Sequence, residues 1–344
     1  MTVRVGIGLF TGQVPADSSR TFAQEYGETL ELVRLAEAAG FDSAWVSEHH
    51  GASDGYLPSL LPMLAAFAAS TERILLGTGI VLAPFHDPLR LAEDSAVVDQ
   101  LSGGRLLLGL GIGWREEEFR MFGVPRSERA LRTEETIEIL RRAWTGRRFS
   151  FEGRAFHYDR VKVTPAPARL TGIPIYLGGY ADKAVRRAGR LADGYVADAA
   201  PEDVQRYVTL VEESARGAGR DPSTLTLVLF QNAFVQTDGD AWETVAGGVA
   251  HQFGGYDAWE AGSDTPENDS LTIAPPDEAG LRRSTPTGTP QDVAGRLKEI
   301  LAPFGDHPDV HLVVRLHYPG MDLDTASRAV ELFGAEVIPA LKDA

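Results

Sequence analysis

Short apolar runs alternate along the chain with stretches whose apolar residues recur every three or four positions. The runs at 3–10, 42–47, 73–82, 105–110, 173–177, 194–197, 224–235 and 310–316 read as strands, being brief and nearly continuous in Val, Ile, Leu and Ala. Helical spacing follows at 25–39, 58–70, 88–101, 116–121 and 131–145, and again at 183–191, 201–217, 291–301 and 323–341. Gly40 closes the first of these helices as a C-cap, Pro88 opens the third, and LSGGR at 101–105 reads as cap, turn and strand start. Strands that are apolar on both faces and alternate with helices belong to a parallel sheet. Eight such units predict one (β/α)8 barrel domain spanning 1–344, with an open doubly wound sheet as the alternative.

Two segments interrupt the rhythm. Residues 148–163 alternate polar and apolar around Glu152-Gly153 and predict a hairpin. Residues 254–285 are rich in Gly, Pro, Asp and Ser without periodicity, and predict a lid loop over the C-terminal mouth of the barrel.

Composition narrows the possibilities. The 344 residues include no cysteine, which excludes disulfides, thiolate nucleophiles and cysteine-based metal sites. A formal charge of −16 argues against nucleic-acid binding, and no apolar run approaches a membrane span. With no signal-like N-terminus, a soluble cytoplasmic protein without membrane or nucleic-acid partners is expected.

In a barrel the chemistry collects where strands end. The second strand ends in WVSEHHG, placing Glu48, His49 and His50 at the mouth. Neighbouring residues on a regular strand face opposite ways, so the two histidines cannot share one ion without a bend. No HxH, HxxxH or HExxH spacing completes a cage, and no metal is expected. The reading that remains makes one histidine a proton donor or hydrogen-bond partner, with the other held by Glu48 or its surroundings. The strand end Gly111-Ile112-Gly113-Trp114 lacks the third glycine of a dinucleotide fingerprint. Its glycines offer room for a flat ligand against the backbone. Gly178-Gly179 precedes a helix near Ala181 and offers amide groups to an anion, or else simply forms a tight turn.

Four blocks, GFDSAWVSEHH (40–50), the stretch 72–123, PIYLGGYADKAVRRAGRLADG (174–194) and TGTPQDV (287–293), resemble the bacterial luciferase-like, flavin-dependent monooxygenases. The resemblance implies reduced FMN and O2, acting through a C4a-peroxyflavin on a small organic substrate, with the reduced flavin supplied by a separate reductase. His49 matches the histidine that supports the reduced flavin, with Glu48 and His50 as its supports. Thr78, Gly79 and Ile80 match the segment, with a cis Gly79–Ile80 bond, that backs the flavin ring. Gly111, Ile112, Gly113 and Trp114, with Gly178, Gly179, Tyr180 and Ala181, match the rest of the cofactor contacts. Ile112 stands where luciferases carry a phosphate-binding arginine, so phosphate binding must use backbone amides or another arginine such as Arg115. Tyr56, Phe85, His86, Tyr158, Arg315, His317 and Tyr318 are expected to line the substrate pocket. Another branch of the family uses the deazaflavin F420 for hydride transfer and is the alternative; a non-catalytic flavin-binding protein is a second. A homodimer through helices near 58–70 and 88–101 is also implied.

Overall fold

The computed structural model describes residues 2–197, 201–261, 277–305 and 307–342. The predicted barrel is present. Its strands are β1 (Thr2–Phe10), β2 (Ser43–Val46), β3 (Leu75–Thr78), β4 (Leu106–Gly111), β5 (Ile175–Gly178), β6 (Gly194–Ala197), β7 (Thr226–Asn232) and β8 (Asp309–Arg315). Each pairs in parallel with the next, and β8 returns to β1 through the register Val3↔Val310 to Ile7↔Val314, closing the sheet. The predicted strand 73–82 is two pieces. After Thr78 the chain passes through a cis Gly79–Ile80 bond, and Val81–Leu82 then pairs with Leu110–Gly111.

Strand alternation fills the barrel. Trp45, Leu107, Tyr176, Val196, Val228 and Val313 point inward and form one buried cluster. Trp45 is its hub, with its indole stacked on Tyr176 at 6.3 Å and met edge-on by Phe230 at 5.7 Å and His311 at 5.4 Å. Its Nε1 donates to Ser43 Oγ (2.7 Å), which lies 2.6 Å from His311 Nε2. The facing residue on β3 is Gly77, where a Cβ would overlap the indole. Below this layer Arg4, Asp309 and Thr226 close the N-terminal end with bonds of 2.6–2.7 Å. The larger apolar core lies between the barrel wall and the helices.

The helices are α1 (Phe22–Ala38), α2 (Leu60–Ser70), α3 (Pro88–Ser102), α4 (Glu116–Phe122), α5 (Arg129–Ala143), α6 (Asp182–Leu191) and α7 (Pro201–Gly217). They continue with α8 (Ala241–Ala261), α9 (Glu278–Ser284), α10 (Pro290–Leu301) and α11 (Leu323–Leu332). Gly103 ends α3 in the left-handed conformation, as LSGGR requires. The predicted hairpin forms from Phe149–Glu152 and His157–Val161. The α5 carboxylate of Glu135 anchors its turn by accepting the amides of Arg154, Ala155 and Phe156 at 2.7–3.0 Å.

The lid expectation needs correction at its ends. Residues 254–261 complete α8, and 278–284 form α9, capped by Asp277; the span 262–276 lies outside the described residues. The predicted loop opens on Gly254-Gly255, but a helical glycine costs only ~1 kcal/mol, which tertiary context readily offsets. Among the described residues no helix is long and apolar enough to cross a membrane.

Burial holds the His311 imidazole neutral, well below its ordinary value, and the charge of Arg4 adds to the effect. The unfolded chain takes up this proton below its ordinary value of 6.5 while the folded barrel does not, so the stability present above that pH is lost on acidification. Urea unfolding between pH 5 and 6.5 should therefore show an acid-side slope that is shallower in His311→Asn by up to about 1.4 kcal/mol per pH unit.

Candidate active site

The three polar residues after β2 form two buried pairings, His49 with Glu118 and His50 with Glu48. His49 places Nδ1 2.9 Å from Glu118 Oε1. The same oxygen accepts the His50 amide at 2.9 Å and lies 3.5 Å from the Arg115 guanidinium. Arg115 also donates to the His50 carbonyl at 2.8 Å and to Glu117 at 2.9 Å. Glu118 is fully buried and Arg115 nearly so. A carboxylate against Nδ1 selects the tautomer protonated there, leaving Nε2 as the nitrogen turned to other work. The His49 ring is flanked by Tyr56, edge-on at 4.8 Å, and by Trp114 at 6.2 Å. Tyr56 is fixed by its hydroxyl on Ser47 (3.0 Å).

His50 faces the other way. Its Nε2 lies 2.9 Å from Glu48 Oε1, which also takes His86 Nε2 at 3.3 Å. Phe122 and Phe85 pack edge-on against the His50 ring at 4.6 and 6.0 Å. Burial favours a neutral Glu48 carboxyl, but the bonds from His50 and His86 outweigh it and hold the group below its ordinary value. His86, which burial would lower, is raised by its bond to Glu48 and by the charges of Glu48 and Asp94. Among the described residues no group of three or more His, Cys, Asp or Glu is arranged to hold a metal ion.

Ile80 forms a floor beside this cluster. Its side chain occupies the space a Cβ would need at Gly111, and it also approaches Gly178. The glycine at 111 therefore admits Ile80 rather than the ligand directly, and the surface presented to a flat ring is aliphatic. Thr78, fully buried, spends its hydroxyl on the Gly109 carbonyl (2.8 Å). Gly113 packs against Phe119 and Phe85, while Ile112 and Trp114 are half-buried.

Beyond Gly178 the chain turns through Gly179 at φ 152°, where a Cβ would come within 2.5 Å of Ala184. Ala181 is the N-cap of α6 and makes no side-chain cap bond, while its carbonyl takes the amides of Ala184 and Val185 at 2.8 and 3.1 Å. Tyr180 is exposed, and Tyr195 donates to the Gly179 carbonyl at 2.8 Å. The nearby Arg187 is engaged by Glu134 at 2.7 Å. Arg115, suggested by the sequence as a phosphate ligand, is instead committed to the Glu118 cluster.

Three expected pocket residues lie elsewhere. Tyr158 belongs to the hairpin and donates to Asp87 (3.0 Å), the cap of α3. Tyr318 is buried and its hydroxyl reaches the carbonyls of Ala233 and Arg315 at 3.0 and 3.1 Å, bracing the ends of β7 and β8. His317 packs beside Phe10, with Nδ1 3.8 Å from Glu25 at the start of α1. Burial, with the charges of Arg20 and Arg315, lowers it to about 4. Arg315, the last residue of β8, is buried with its Nη1 unpartnered. Glu118, which sequence reading missed, was marked only by its place in the acidic first turn after Trp114. A cavity of about 940 Å³ lies elsewhere, lined by Arg282, Arg283 and Arg296 with Asp240 and Asp292.

Removing Glu118 strips the common partner from His49, His50 and Arg115. Glu118→Ala should cost ~3 kcal/mol or more in urea unfolding, because it leaves a buried arginine short of its counter-charge. Nitrogen NMR of the histidine rings in Glu118→Gln should show the His49 proton redistributed from Nδ1 towards Nε2.

The comparisons agree with this architecture. The profile of the luciferase-like monooxygenases matches residues 3–307. An F420-dependent glucose-6-phosphate dehydrogenase of Nakamurella multipartita is 27% identical over 340 residues, covering 93% of this chain and 94% of that relative. A 5,10-methylenetetrahydromethanopterin reductase of Archaeoglobus fulgidus is 28% identical, covering 92% of this chain and 97% of its own. The crystal structure of a monooxygenase from Streptomyces bottropensis superposes with a TM-score of 0.83 at 27% identity, over 98% of this chain and 99% of that one. Family profile, barrel closure and full-length likeness coincide: the chain belongs to the luciferase-like monooxygenase family and is an oxidoreductase of that kind.

Proposed function

We propose that this chain is an F420-dependent oxidoreductase that moves hydride between the deazaflavin and a small alcohol or carbonyl substrate at the barrel mouth. The observation that carries the reading is the phosphate cradle. Gly179 and the uncapped start of α6 offer backbone amides, Ile112 replaces the expected arginine, and Arg115 and Arg187 are held by carboxylates. A turn that offers amides, with Arg187 and Arg206 paired to Glu134 and Asp182, suits the singly charged phosphodiester of F420 better than the doubly charged phosphate of FMN, whose capture gains more from charge-assisted bonds. The F420-dependent relative from Nakamurella, similar over its whole length, supports the same choice.

The remaining residues fit a flavin-type ring. Ile80 backs it without polar competition, and Gly111 and Gly178 let that side chain lie flat. When bound, the cofactor supplies the hydride chemistry. His49 holds the accompanying proton: Glu118 fixes Nδ1, so Nε2 is the atom that takes the proton from a substrate hydroxyl or returns it to a carbonyl oxygen. Glu48, His50 and His86 hold the loop that carries His49.

A second reading, oxygenation of the substrate with O2 and reduced FMN from a separate reductase, is favoured by the EHH strand end and by the likeness to the Streptomyces monooxygenase. Anaerobic titration separates the two. The F420 reading expects tight binding of F420 and substrate turnover without O2. Tight binding of reduced FMN with substrate-dependent O2 uptake would replace it. Gly179→Ala should weaken cofactor binding about tenfold, since its Cβ displaces the turn from Ala184. His49→Ala should keep the binding and lower turnover by about 10²–10⁴-fold.

A further inference from the structure

Along β8, His311, Val313 and Arg315 project into the barrel. Val313 belongs to the Trp45 cluster and His311 touches Trp45, so Arg315, two residues on, tops the same inward row at the mouth. It is only 4% exposed. Its Nη1 is buried without a hydrogen-bond partner, and no carboxylate pairs with the guanidinium among the described residues. Arginine loses its hydration on burial and keeps its charge, so a site of this kind is costly unless an anion completes it. The carboxylates nearest the chemistry are already in use, Glu118 by His49 and Arg115, Glu48 by His50 and His86.

The neighbouring strand supplies a second donor. Asn232 is in register with Arg315 across the β7–β8 pair, at the end of an inward row that runs Val228, Phe230, Asn232. Side chains in register on adjacent strands share a face about 5 Å apart. A guanidinium beside an amide is the donor set for a planar carboxylate or an enolate oxygen. In barrel order β8 stands opposite β4, so this pair lies across the mouth from Ile80 and Gly111. That is the side open to the substrate rather than to the cofactor's ring floor or phosphate cradle.

We infer that Arg315 and Asn232 form an anion-recognition subsite for the substrate, and that the enzyme acts on a small organic molecule carrying a carboxylate or enolate oxygen. The inference rests on the proposed use of the mouth as the active site and adds the substrate's chemical class.

The test uses the full-length protein without cofactor, with benzoate as probe and benzamide as its neutral counterpart, by calorimetry and thermal unfolding. Benzoate should bind the wild type and raise its Tm saturably. Arg315→Met should weaken benzoate about 10- to 100-fold. Arg315→Lys should lie between, and benzamide binding should be the same in all three. Without ligand, Arg315→Met should melt at or above the wild-type temperature, because an uncompensated buried charge is gone. Equal benzoate affinity in wild type and Arg315→Met overturns the subsite. So does a variant that loses F420 or FMN affinity while keeping benzoate, since the anion would then be the cofactor's. Because the benzoate arm contains no cofactor, failure of the F420 reading leaves its outcome intact.

Discussion

The Glu118 carboxylate is the constraint on which the mouth depends. One oxygen, wholly buried, receives the His49 ring and the His50 amide and faces the Arg115 guanidinium. A lone carboxylate at that depth would be expensive, and a lone arginine equally so; together they fix a loop that has no regular backbone ladder of its own. Glu118 sits in the first turn of α4, so the helix that follows β4 positions the histidine that follows β2. The position of His49 is thereby tied to the barrel wall rather than to a free loop. Glu48 works in the opposite direction, drawing His50 and His86 together on one carboxylate oxygen.

The floor of the site follows from steric fit inside the barrel. Trp45 fills the interior, and Gly77 is required where its indole meets the neighbouring strand. One layer up, Gly111 makes way for Ile80, and Gly178 lies in contact with the same side chain. Large side chains pack against bare backbone at both levels, so the top of the barrel is flat and aliphatic where Ile80 lies and cationic where Arg315 rises. A flat ring on one side and an anion on the other fit that asymmetry.

The barrel was legible because each parallel strand is buried on both faces and reads as a continuous apolar run. The EHH cluster stood out for the same reason: three polar residues ending such a run are out of place in a core. Alternation predicts separate surroundings for the two histidine rings, and His49 meets Glu118 while His50 meets Glu48. What the sequence hid was pairing at a distance. Glu118 lies 69 residues from His49, in a helix turn whose acidic residues resemble ordinary first-turn glutamates. Tyr318 and His317 looked like pocket residues because they follow β8, yet their side chains turn back to the strand ends and to α1. Gly254-Gly255 looked like the start of a loop, though tertiary context carries α8 through it.

The central claim is that a flavin-type ring lies on Ile80 with His49 as its proton partner. A crystal structure of the protein with oxidised F420 bound tests it most directly. The ring should lie on Ile80, the phosphodiester on the amides that open α6, and His49 Nε2 should face the space left for substrate. A cofactor bound instead in the cavity lined by Arg282, Arg283 and Arg296, with the mouth unchanged, would contradict the account.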